Sequence, residues 1–123
     1  MIQGLKNGLI GLALATLTTA GAMAADAKAY VVNEINVTDP VKYQVYAEMA
    51  APTVTAYGGH YIVRAGAIDV ISGEPPARRV VIAEFPSRAA AIAWHASPEY
   101  QKALAIRNAA STSRVYIVEG IVP

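Results

Sequence analysis

The chain has no cysteine, one tryptophan, one phenylalanine and two histidines. Without cysteine it can form no disulfide staple, no thiolate nucleophile, no cysteine metal site and no lipidated N-terminal cysteine. The imidazoles, His60 and His95, fall in none of the short spacings that build a zinc or iron site within one chain, so no metal is expected. Charge is sparse and balanced, with ten Lys and Arg against nine Asp and Glu. No basic cluster beyond Arg78-Arg79 could track a phosphate backbone, so nucleic acid is not an expected partner. The glycines lack dinucleotide-loop or phosphate-loop spacing, and no cofactor is expected. Ser72, Ser87, Ser97 and Ser111 all stand before turn or helix signals and none lies in G-x-S-x-G, so they read as caps and not nucleophiles.

What is present begins with a leader. Lys6 supplies a positive n-region, residues 9–17 an apolar h-region, and Ala22-Met23-Ala24 a small-x-small cleavage pattern. Threonines and Gly21 interrupt the run before it reaches the ~20 apolar residues that a membrane-spanning helix needs. Residues 1–24 are therefore expected to be a cleaved signal peptide, cut after Ala24 or Ala25. The product is expected to be periplasmic or secreted, with no membrane association after cleavage. Removal takes Lys6 away and leaves nine basic against nine acidic residues. Residues 25–123 then form one small domain, for which oligomerisation is the natural supplement to a modest core.

Within that domain, residues 30–37 (YVVNEINV) read as a first strand. Asp39 and Pro40 are N-cap and N1 of a helix bearing Tyr43, Tyr46, Ala47, Ala50 and Val54 at three- and four-residue intervals. Pro52 is expected to kink that helix or end its regular part, and Gly58-Gly59 to finish it. Residues 60–65 form a second strand. Gly66 is expected to mark a bulge before residues 67–72 continue the strand or pair back, and residues 73–77 make a loop. Residues 80–85 are apolar except Glu84, the pattern of a strand covered on both faces. Ser87 caps a short helix over 89–96, Ser97-Pro98-Glu99 restarts helix to about Ala110, and residues 113–120 make the last strand. Strand, helix, strand, strand, helices, strand gives an α+β, ferredoxin-like antiparallel sheet with helices on one face.

The run EFPSR at residues 84–88, followed by W-x-x-SPEYQ from Trp94 and then Arg107, resembles the domain of unknown function 1330 family. That family lies within the dimeric α+β barrel superfamily, and the likeness covers residues 30–120. Strand parity supports the same architecture. Val80 and Ile82 point opposite to Val81, Ala83 and Phe85, so the sheet has two apolar faces and helices for only one. A homodimer whose partner supplies a second sheet is expected.

Alternation along the second strand places His60, Ile62 and Arg64 on one face, away from the helices, and Tyr61 and Val63 on the other. Glu84 is expected diagonally near Arg64, with Glu34 on a neighbouring strand, so His60, Arg64, Glu34 and Glu84 form one candidate ligand-binding set. A rim ion pair at the dimer interface is the structural alternative. Tyr100 and Arg107 share a helix face and could hydrogen-bond and neutralise a ligand; structurally, Tyr100 would be half-buried with Arg107 snorkelling outward. His95 near a helix end reads as a terminal hydrogen-bonding group. Two functions remain open: a small-molecule-binding or non-catalytic module of the cell envelope, and a cofactor-free enzyme acting on a small aromatic or polyketide-like compound. The second is implied by relatives in the barrel superfamily, which include monooxygenases and isomerases.

Overall fold

Residues 26–123 are described in a computed structural model, and the export sequence expected at residues 1–24 lies outside them. The elements are β1 (Ala29–Val37), α1 (Pro40–Ala56), β2 (His60–Arg64), β3 (Arg79–Phe85), α2 (Arg88–Ala96), α3 (Pro98–Ala110) and β4 (Ser111–Glu119). The strands form one sheet in the order β2-β3-β1-β4, and every pairing is antiparallel. This is the ferredoxin-like arrangement that the element order implies. Among the described residues no helix is long and apolar enough to cross a membrane.

The helix starts follow from local chemistry. Asp39 Oδ1 accepts from the Lys42 amide at 3.1 Å, and Ser87 Oγ accepts from the Ala90 amide at 3.1 Å. Ser97 both ends α2 and starts α3, its Oγ accepting from the Tyr100 amide at 3.2 Å. Each side chain satisfies an amide that the first helical turn leaves without a carbonyl.

The core lies between the helices and one face of the sheet. Ala29, Val31 and Ile35 of β1 and Ala83 and Phe85 of β3 meet Tyr46, Val54, Trp94 and Tyr100, all buried. Phe85 and Trp94 rings stand 5.2 Å apart and Trp94 and Tyr100 rings 4.0 Å apart. Such aromatic pairs contribute about 0.5–1.5 kcal/mol each beyond their area.

Two expectations are corrected and one is narrowed. Of the two outcomes expected at Pro52, helix α1 does not end there but runs on to Ala56, just short of Gly58-Gly59; Pro52 and Glu48, whose carbonyl loses its amide partner there, are both exposed, so water can serve that carbonyl. Residues 67–72 neither continue β2 nor pair back, and the whole of 65–78 is loop. Finally, the bulge is not at Gly66. It lies between Tyr61 and Val63, where Tyr61 faces Ala83 but Val63 faces Ile82 and Arg64 faces Val81.

That extra residue reverses the strand's alternation. Arg64 joins Tyr61 on the helix side, while Val63 moves to the outer side with Ile82, Val32 and Tyr116, its neighbours across the sheet. The outer face keeps exposed apolar groups, including Ile62, Val63, Tyr116 and Val118.

Candidate functional site

Between the helix layer and the sheet lies a cavity of about 50 Å³, lined by Val31, Asn33, Tyr43, Tyr46, Ala47, Val54, Tyr61, Arg64, Arg79, Val81, Ala83 and Trp94. Strand β1 sends Asn33 into it because odd-numbered positions face the helices. Helix α1 sends Tyr43 and Tyr46, three residues apart on its buried stripe. Arg64 stacks over the Tyr61 ring at 4.5 Å and Arg79 over the Tyr43 ring at 4.9 Å.

Behind Tyr46 stands a third guanidinium. Arg107 is only 5% exposed, and its Nη1 donates to Tyr100 Oη at 2.8 Å. Tyr100 Oη in turn lies 3.0 Å from Tyr46 Oη, and the Arg107 guanidinium sits 5.7 Å from the Tyr46 ring centre. Among the described residues, two buried side-chain polar atoms have no hydrogen-bond partner, Asn33 Oδ1 and Arg107 Nε. Burying a cation is costly. Here the ring faces and the carbonyl end of α3, whose last turn carries Arg107, provide compensating negative potential.

Burial favours the protonated form of three phenols, Tyr43, Tyr61 and Tyr100. Burial pushes Tyr61 up to about 12, with the nearby Tyr46 adding to it and Arg64 opposing it. Burial likewise raises Tyr43 and Tyr100. At neutral pH the site therefore offers O–H and guanidinium donors.

A second polar group occupies the outer face. Glu34 Oε2 accepts from Arg114 Nη2 at 2.7 Å and Nε at 3.2 Å, and from Tyr116 Oη at 3.1 Å. These hydrogen bonds, led by that of Arg114, hold the Glu34 carboxyl below its ordinary value. Glu84 Oε1 lies 3.2 Å from Lys28 Nζ and 3.5 Å from His60 Nε2, and Lys28 above all lowers its pKa.

The family model for Domain of unknown function (DUF1330) matches residues 28–121. The chain belongs to the DUF1330 family. No curated protein matches it at a significant level. Among solved structures, the DUF1330 chain resembles RPA0582, a protein of unknown function from Rhodopseudomonas palustris, with a TM-score of 0.66 at 21% identity, covering 89% of this chain and 95% of that one. It also resembles SnoaB, a cofactor-independent oxygenase from Streptomyces nogalater, with a TM-score of 0.56 at 17% identity, covering 75% of this chain and 91% of that one. At these identities the likeness establishes the fold alone, the ferredoxin-like α+β arrangement described above.

The DUF1330 chain does not gather the expected site in one place. His60 and Glu84 meet across β2 and β3 on the outer face, with the His60 side chain 62% exposed. Glu34 shares that face but pairs with Arg114. Arg64 is on the opposite side of the sheet, in the cavity, because the bulge turns it there. Tyr100 is fully buried instead of half-buried, and Arg107 points inward instead of snorkelling. Tyr43, Tyr46, Tyr61, Arg79 and Asn33 were not anticipated as site residues. The available signal was an inward-facing phenol on the α1 stripe, since a buried Tyr hydroxyl requires a partner.

Proposed function

We propose that this protein is an exported homodimeric module that binds a small molecule in the cavity between its sheet and its helices. The observation that carries the reading is the cavity lining, where three tyrosines, two arginines and Asn33, with its unpartnered buried oxygen, converge on one space. Convergent polar groups in an otherwise apolar pocket are the usual composition of a ligand site. The described residues of the lining include no carboxylate and no imidazole. Binding is thus better supported than proton-abstracting catalysis, which would need a base in reach of the ligand. Likeness to a cofactor-independent oxygenase supports the enzymatic alternative through fold alone.

The outer face supports the dimer. Val32, Ile82, Val63 and Tyr116 form a continuous row across the sheet, and a second copy's sheet would remove it from water. The leader pattern at residues 1–24 supports export.

Native mass spectrometry of protein recovered from the exported fraction tests all three parts. The expected species is a dimer of chains starting at Ala25 or Asp26, carrying one small molecule per protomer. Arg64→Met should lose the small molecule and keep the dimer. A monomer, an uncleaved leader, or equal retention by Arg64→Met overturns, respectively, the assembly, the export and the site.

A further inference from the structure

The cavity's polar groups point to a particular ligand chemistry. Arg64 and Arg79 line it and Arg107 backs it. Among the described residues the ion pairs are Lys28 and His60 with Glu84, and Arg114 with Glu34. None of the three guanidinium groups around the cavity is thus paired with a carboxylate, although Arg107 is buried. Three cations concentrated about one small space favour an anion there.

The hydrogen-bond direction sharpens this. A guanidinium can only donate, so Tyr100 Oη accepts from Arg107. Tyr100 then has one proton to place, and its remaining neighbour is Tyr46 Oη at 3.0 Å. If Tyr46 instead donated to Tyr100, the Tyr100 proton would be buried without an acceptor, an unfavourable arrangement. The favoured chain runs Arg107 to Tyr100 to Tyr46 and leaves the Tyr46 proton free. Tyr46 lines the cavity. A cation at the root of such a chain polarises each bond along it, which strengthens the terminal O–H as a donor.

We infer that the cavity takes the carboxylate head of a small organic acid, with Tyr46 Oη donating to one oxygen and the Arg64 guanidinium facing the charge. This rests on reading the cavity as a binding site, and adds the class of ligand. A void of about 50 Å³ suits a head group, the body of the acid extending outward past Arg64, which is exposed. Asn33 also lines the cavity, and its Nδ2 is a further donor available to the second oxygen. Arg107 and Tyr100 are positioning residues that act through Tyr46.

Benzoate and benzamide test this, since they share shape and differ in charge. Both are titrated calorimetrically into the purified exported protein at fixed ionic strength. Benzoate should bind at least about tenfold more tightly than benzamide, as one charge-assisted hydrogen bond implies. Tyr46→Phe should lower benzoate affinity about tenfold and benzamide affinity by less, because the hydrogen bond to a neutral carbonyl is weaker than that to a carboxylate. The wild-type comparison stands even if that variant fails to fold. Equal affinity for the two probes overturns the carboxylate assignment while preserving the binding site. Failure of benzoate, benzamide and acetate alike to bind overturns the binding site itself.

Discussion

Thr53 shows how much can depend on one hydroxyl. Its Oγ1 accepts from Trp94 Nε1 at 3.0 Å and donates to the Ala50 carbonyl at 2.6 Å, tying α1 to α2 at the edge of the aromatic core. Thr53→Val keeps the shape and orphans the indole N–H. A loss of about 1–3 kcal/mol is expected, read as a lower urea midpoint with an unchanged slope. Glu34 acts through pH. Because its folded pKa lies below the ordinary 4.5, the folded state holds its proton less tightly than the unfolded chain does. Its contribution is therefore complete above that ordinary value and is lost as pH falls through the lower folded value. Glu34→Gln should flatten the stability profile on the acid side of pH 4.5, in thermal melts taken across that range. An unchanged acid slope would remove Glu34 from the account of acid stability.

At the scale of elements, the turn from α1 into β2 depends on a missing side chain. A Cβ at Gly59 would stand 2.7 Å from the Phe85 ring, and Phe85 is buried with no room to retreat. Gly59→Ala should cost about 1–3 kcal/mol by overpacking, measured by chemical denaturation. Pro52→Ala, by contrast, restores an amide inside α1 and should stabilise the protein by about 1–3 kcal/mol. Features with local causes were legible in sequence: Asp39, Ser87 and Ser97 cap the helices that they appear to cap. The β2 bulge was not, because Gly66 advertises backbone freedom locally whereas the bulge is placed by β2's pairing with β3. Arg107 was misread for a similar reason. Its partner Tyr100 is seven residues away, but Tyr46, which completes the chain, is a further 54 residues distant from Tyr100. Only the packing of α1 on α3 brings that pair together.

For the whole molecule, the two sides of the sheet carry separate tasks. Polar side chains on the helix side surround the cavity, and the apolar row on the other side is the surface on which the proposed second copy would dock. A charge planted on the outer face should separate the two. Val118→Lys is expected to shift the mass in light scattering from dimer toward monomer, while thermal unfolding stays cooperative. A dimer unaffected by that substitution would move the interface elsewhere. The division of labour depends on the single extra residue between Tyr61 and Val63. In a regular ladder that kept Ile62 and continued from the Tyr61 and Ala83 pair, Arg64 would fall opposite Val80 and its charge would enter the apolar row of the outer face. Strand β2 thus has something like a reading frame. Substitution alters which group a position presents, but only a shift of register against β3 transfers Arg64 from one side of the sheet to the other. Deleting Ile62 would straighten β2 yet leave Val63 opposite Ile82 and Arg64 opposite Val81, whereas one residue inserted between Val63 and Arg64 would set Arg64 opposite Val80, emptying the cavity of a cation and placing that charge on the outer apolar face with no residue replaced.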